Sequence, residues 1–315
     1  MTVLKRKLTL LIAVIACFSQ PAAAARSARR RPVSRPVSQD VLPSPEIETQ
    51  VAEAVSQASR VLADLNTNTF LSSPHLVSAI YYHEGFLNAY TVDRPTADPE
   101  RRIIGQISNL LTTAHKVRFM QLLHELCAQS DSMGPQRWSE PVNYSAVGGS
   151  RTHKFAVDLF AREGSAVRAV SRGVVVLADR DWDPANLFST SSRKGGNSVI
   201  VFDPDHDRFY RYCHMDTVDV APGKLVAAGE TVGTVGHSGL NASQPGHGRH
   251  LHFETNQYSE GQVRAIEYRQ LRTFLRQWKA AAAGKSDGPL TAAKTKNRKP
   301  PAPLKAQNAP PPSKR

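Results

Sequence analysis

Apolar positions pass from a helical to an extended period near Gly148. Before it they recur every three or four residues. Val51, Val55, Ala58, Leu62 and Leu65 share one helical face. Ile103, Ile104, Ile107, Leu110 and Leu111 form a second stripe, and Phe119, Leu122, Leu123 and Leu126 a third. Asp98-Pro99-Glu100 reads as a helix start, with Asp as the cap and Pro at the first helical position. Residues 46–135 are therefore expected to hold three or four short helices, as a separate small domain or as a layer packed on the segment that follows. From Gly148 to about Asn256 the spacing is that of strands and tight turns. Val167 and Ala169 alternate with polar neighbours, Arg172-Gly173 marks a turn, and Val174 to Leu177 continues as strand. Asn197 to Phe202, Asp203-Pro204-Asp205 and Arg208 to His214 read as strand, turn and return strand. Gly223, Gly229, Gly233, Gly236 and Gly239 punctuate shorter strands. Residues 180–195 read as an inserted surface loop, and 263–282 as a closing helix. No internal repeat is visible.

The two ends have a different character. Lys5-Arg6-Lys7, the apolar run Leu8 to Phe18 and the small residues Ala22 to Ala25 have the parts of a secretory signal over residues 1–25. The apolar run is shorter than the roughly 20 residues a membrane span needs, so no transmembrane helix is expected in the mature chain. Val14-Ile15-Ala16-Cys17 also fits a lipoprotein cleavage site, which would leave the chain lipid-anchored at Cys17. Residues 26–45, rich in Arg, Pro and Ser, read as a linker, and 283–315 as a basic, Pro-rich disordered tail. An exported protein of the periplasm or cell envelope is expected.

The net charge of +13 belongs to these ends. Residues 1–35 and 285–315 carry 16 basic residues against one acid, Asp287, so the remaining 24 basic and 26 acidic residues leave the body at −2. No nucleic-acid partner is expected of the body, whereas the tails suit an anionic envelope surface. Ordinary signal cleavage leaves Cys127 and Cys213, which read as buried free thiols.

Candidate chemistry lies among the histidines. Six of the 11 fall between His206 and His252, with His153 upstream. In His250-Leu251-His252-Phe253-Glu254, a strand puts His250, His252 and Glu254 on one face and the two apolar residues on the other. Two imidazoles side by side suit a metal ion, although a His-x-His pair alone is a weak signal.

Four ordered blocks strengthen it. They are His153 and Asp158 with Glu163-Gly164-Ser165-Ala166-Val167; Gly196 to Val201; Tyr212-Cys213-His214-Met215; and the Gly-rich run from Gly223 to Gly239 that leads to His250-Leu251-His252-Phe253-Glu254. Over roughly residues 148–256 the chain resembles the lysostaphin-type zinc peptidases of the bacterial cell wall. The resemblance implies that His153, Asp158 and His252 hold one Zn2+ per chain, and that His214 and His250 line the site and share the general-base and oxyanion roles. It implies peptidoglycan peptide stems as the partner and hydrolysis of their cross-links as the reaction. Glu254 reads either as a group orienting a ligand from behind or as an ordinary strand carboxylate. The family usually places three residues between its first His and the Asp. Here there are four, Lys154 to Val157, so a bulge or loop must re-aim His153. His237 and His247 stand in reserve as ligands.

The expected fold is α+β overall: a mainly β catalytic domain over 140–262, an antiparallel sandwich or open barrel, preceded by a small α-helical region. The expected function is zinc-dependent endopeptidase. The alternatives are a non-catalytic wall-binding module that activates a separate hydrolase, and a wall-anchored structural protein acting through its basic tails. The helical region is also placed to act as a plug or docking surface in front of the domain.

Overall fold

A computed structural model describes residues 45–66, 69–82, 99–128, 133–149, 153–184 and 194–284. The expected signal segment with Cys17, most of the linker, the cap residue Asp98, the centre of the 180–195 loop and nearly all of the basic tail lie outside the described residues. No described helix is long and apolar enough to cross a membrane.

The periodic stripes before residue 130 form helices α1 (Pro45–Ala63), α2 (Pro74–Tyr81), α3 (Pro99–Leu110) and α4 (Thr113–Ala128), with a 3-10 turn over Phe70–Ser72. Pro99 and Pro74 each occupy the first helical position, where a missing N–H costs nothing. The stripe residues Val51, Ala58, Leu62, Ile103, Ile104, Ile107, Phe119, Leu122 and Leu123 are buried. Leu110, at the last residue of α3, is exposed.

Among the described residues, the segment that follows supplies ten strands: β1 (Ala146–Gly148), β2 (Ala156–Phe160), β3 (Ala166–Arg168), β4 (Gly173–Asp179), β5 (Asn197–Asp203), β6 (Arg208–Val218), β7 (Leu225–Val226), β8 (Thr231–Val235), β9 (His250–Ser259) and β10 (Gln262–Ala265). They pair antiparallel in the order β1-β2-β9-β6-β5-β4-β7. β10 is added on β9, and β8 bridges β6 and β3. The antiparallel β domain with a helical region ahead of it is the architecture expected from the change of period.

The helices are a layer on this sheet. One apolar core joins α1–α4 to Val174, Val176, Ile200, Phe202 and Phe209 on one face. A second core, on the opposite face, joins Val175, Val199, Val201, Tyr210, Tyr212 and Phe253 to helix α5 (Tyr268–Ala282) through Leu271, Phe274, Leu275 and Trp278. Cover on both faces explains why β4 and β5 read as continuous apolar runs rather than alternating ones. Cys127 and Cys213 are buried free thiols.

The closing helix differs from its expected span of 263–282. It starts at Tyr268, and Gln262–Ala265 is strand β10, folded back on β9 with Ser259 opposite Gln262. The two residues between them, Glu260 and Gly261, both have positive φ (53° and 78°), the backbone of a two-residue hairpin turn of type I′. That turn sets the local structure, and the buried Val263 and Ile266, three apart, fit a strand and its exit as well as a helix face.

Trp278 is fully buried, stacked on Trp138 at 5.7 Å and edge-on to Tyr210 and Phe253. Trp278→Ala is expected to cost about 3–5 kcal/mol by transfer and cavity terms together. Equilibrium denaturation in urea checks this; a loss below about 1 kcal/mol would mean that α5 is not part of the core.

Candidate metal centre

The site is built on the β2–β9–β6 register. In an antiparallel pair, directly opposed residues share a face. Asp158 lies opposite His252, and Ala156 lies opposite Glu254. Across the other edge of β9, Cys213 lies opposite His252 and Arg211 opposite Glu254. Alternation along β9 then puts His250, His252, Glu254 and Asn256 on the face that carries the helical layer, and Leu251 and Phe253 in the core behind. His252 Nδ1 is 2.9 Å from Asp158 Oδ1.

His153 reaches the same point from outside the sheet. β2 begins only at Ala156, and the His153 N–H donates to Gly149 O at 2.8 Å in the loop before it. The odd offset from Asp158 is thus absorbed off the strand, as the spacing required. His153 Nε2 lies 3.3 Å from Asp158 Oδ2, and its ring centroid is 4.8 Å from that of His252. Among the described residues, His153, Asp158 and His252 form the group able to hold a metal ion, with donor atoms within 4.8 Å of one another. The Asp158 carboxylate meets the two imidazoles through different oxygens, at 2.9 Å from His252 Nδ1 and 3.3 Å from His153 Nε2. Two imidazoles and one carboxylate also match the three-ligand, open-position arrangement of catalytic zinc.

His214 arrives by a backbone irregularity. On β5, Asn197 and Val199 are two apart; their partners on β6, Met215 and Tyr212, are three apart. β6 therefore carries one extra residue, and His214 has φ of 63°, rare for a non-glycine residue. Simple alternation from Cys213 would send the imidazole to the opposite face. The bulge brings its ring to 4.9 Å from His250 and 5.6 Å from His252. Gly239 makes room for it: a Cβ there would lie 3.0 Å from His214 Nδ1 and 2.3 Å from Lys194 O, and φ is 100°.

The hydrogen bonds assign the tautomers. His214 Nδ1 is 2.7 Å from Ser238 O, and His250 Nδ1 is 2.7 Å from Gly248 O. A carbonyl only accepts, so both rings carry the proton on Nδ1 and keep Nε2 for the site. His250 Nε2 is 3.8 Å from Asp158 Oδ1. Burial, with the neighbouring His252 and His250, pushes the His214 pKa down to about 3, so this imidazole is neutral at physiological pH.

His252 is placed between two carboxylates, Asp158 at Nδ1 and Glu254 Oε1 at 3.0 Å from Nε2. Burial alone would lower its pKa, but hydrogen bonds to both carboxylates outweigh it and raise the value to about 9. For Asp158, burial acts upward, and the bonds to His153 and His252 hold the carboxyl well below the usual range. Glu254 behaves alike: burial acts upward, and Arg211 and His252 hold it below the usual range. Glu254 touches His252, one of the three candidate donors.

His237 and His247, the reserve ligands, are not in the donor group. His237 Nδ1 pairs with Glu163 at 2.9 Å, and His247 lines the cleft rim. The cleft over the site has a volume of ≈ 900 Å³, and its far wall is built by Tyr82, Glu100, Arg101 and Ile104 of the helical layer. Sequence reasoning assigned no chemistry to Arg211, Tyr81 or Tyr82. Arg211 was recoverable as the residue two before Cys213 on β6; nothing marked the tyrosines.

These features define a candidate three-donor site for a divalent metal on a β sheet, with two further imidazoles across a cleft. Residues 152–264 match Peptidase family M23. The glycyl-glycine endopeptidase ALE-1 of Staphylococcus capitis is 31% identical over 107 residues, 33% of this chain and 25% of the relative. Lysostaphin of Staphylococcus simulans is 29% identical over 139 residues, 44% of this chain and 24% of the relative. The chain thus spans about a quarter of the length of these relatives. Among solved structures, lysostaphin from Staphylococcus simulans is similar at 22% identity and a TM-score of 0.34, covering 52% of this chain and 62% of that one. A zinc-containing peptidase from Vibrio cholerae is similar at 21% identity and a TM-score of 0.31, covering 42% and 39%.

Because the metal-free His252 holds a proton up to about pH 9, zinc uptake at pH 7 is expected to release about one proton. Titration calorimetry in buffers of differing ionisation enthalpy measures the number; buffer-independent heats would contradict the assignment.

Proposed function

We propose that this protein is a zinc-dependent endopeptidase that hydrolyses peptide cross-links of bacterial peptidoglycan in the envelope outside the cytoplasm. The observation that carries the reading is the convergence of His153 Nε2, Asp158 and His252 Nδ1 below a cleft that the imidazoles of His214 and His250 also face. Export is supported by Lys5-Arg6-Lys7, the apolar run after it and the Ala cluster at 22–25. Attachment of the basic tails to anionic envelope polymers, and lipid anchoring at Cys17, belong to the same proposal.

His153, Asp158 and His252 would hold the ion, and zinc when bound supplies Lewis-acid polarisation of the scissile carbonyl and a water of lowered pKa. The chain's own groups do the rest. His214 and His250 present Nε2 to the cleft with Nδ1 anchored on main-chain carbonyls, so neither ring needs to reorient to take a proton. Protonated after that transfer, either ring donates to the oxygen on which negative charge develops. Glu254 accepts from His252 Nε2 and holds its Nδ1 toward the other donors.

Digestion of purified peptidoglycan with mass analysis of the fragments tests this. Cross-linked muropeptides are expected to disappear with wild type and to persist with His252→Ala. Intact cross-links with both proteins would instead favour a regulatory module acting on a separate hydrolase. His214→Ala and His250→Ala should each retain one zinc by metal analysis while the rate falls about 10²–10⁴-fold, the range for a lost general acid–base group. Loss of zinc from either would make that imidazole a ligand.

A further inference from the structure

We propose that Tyr81 is a positioning residue for the metal centre, acting from the helical layer through Glu254 on His252. The inference rests on the metal-dependent reading above. Both oxygens of Glu254 are committed. Oε1 lies 3.0 Å from His252 Nε2, and Oε2 accepts from Tyr81 Oη at 2.8 Å. The carboxylate is therefore held by two partners from different layers, one on the same strand and one at the C-terminus of α2, 173 residues away in sequence. A carboxylate pinned at both oxygens fixes the plane in which it receives the His252 N–H, and so the direction of Nδ1.

Tyr81 is itself fixed. It is 1% exposed, and its ring meets Phe209 edge-on at 6.2 Å. Its main-chain carbonyl accepts from Asn256 Nδ2 at 3.0 Å. His252, Glu254 and Asn256 are successive residues on one face of β9, so the alternation that presents the metal donor also grips the end of α2 at two points. Arg211 closes the arrangement: Nη1 is 3.6 Å from Glu254 Oε2 and donates to Tyr82 Oη at 2.9 Å. Without the Tyr81 hydroxyl, Arg211 remains the nearby cation for Oε2, and the carboxylate is drawn toward it and away from His252. The helical layer would then be a working part of the metal site as well as a wall of the cleft.

A double-mutant cycle in the full chain tests this, with zinc affinity read by competition with a chromophoric chelator and ligand geometry by the visible bands of the Co2+-substituted protein. Tyr81→Phe is expected to weaken zinc binding about tenfold, at the low end of the 10–100-fold range for groups that orient a ligand from behind, and to shift the Co2+ bands. Glu254→Gln is expected to lose at least as much. In the Glu254→Gln background, Tyr81→Phe should change affinity less than about twofold, because its route to the metal is already cut. Additive losses, as general destabilisation of the helical layer gives, would overturn the proposal. So would Tyr81→Phe with wild-type affinity and spectrum, leaving the metal-dependent reading intact. A wild-type protein that takes up no zinc overturns both.

Discussion

The pairing of Asp158 with His252 across strands β2 and β9 is the constraint on which the rest of the site depends. Side chains alternate along a strand, so a slip of one residue in that register would send one partner of the pair through the sheet into the opposite core. The register is held by what lies behind it. Val157, Leu159, Leu251 and Phe253 face the α5 core, where each is fully buried. A slip of either strand would move its two apolar groups to the site face, each worth about 1.5–3 kcal/mol of burial. The polar pair is thus positioned by its apolar neighbours, and the chemistry of the front face follows from the packing of the back.

Two further site histidines enter by departures from regular sheet. His153 lies in a loop, free of the two-residue period, and His214 sits on a bulge with its backbone in the left-handed region. Both devices turn a side chain that regular alternation would misdirect. The backbone conformation at His214 has a cost of order 1–3 kcal/mol. The surroundings sustain it: the His214 N–H donates to Gly195 O, its carbonyl accepts from Gly236 N, and its ring is tied to Ser238 O.

Much of this was legible in the chain. The change of period near Gly148 separates helices from strands because helical and extended backbones repeat differently. The alternation His250-Leu251-His252-Phe253-Glu254 assigns faces without any knowledge of the partner strand, and the odd offset between His153 and Asp158 already demands a bulge or a loop. Other features lie beyond a linear reading. The extra residue at His214 is defined only against β5, so Tyr212-Cys213-His214 taken alone points the imidazole the wrong way. The strand over Gln262–Ala265 carries apolar residues at a spacing that a helix shares, and the turn at Glu260-Gly261 decides between them. Tyr81 meets Glu254 through a sequence separation of 173 residues, and a tyrosine on an apolar helix face looks like any other core residue.

The central claim is that three side chains from a loop and two strands meet on one ion. Anomalous diffraction at the zinc edge from crystals of the full chain grown with zinc tests it most directly. One peak is expected, about 2.0–2.1 Å from His153 Nε2, an Asp158 carboxylate oxygen and His252 Nδ1. A peak bound elsewhere, or none with His153 turned from the other two donors, would contradict the account.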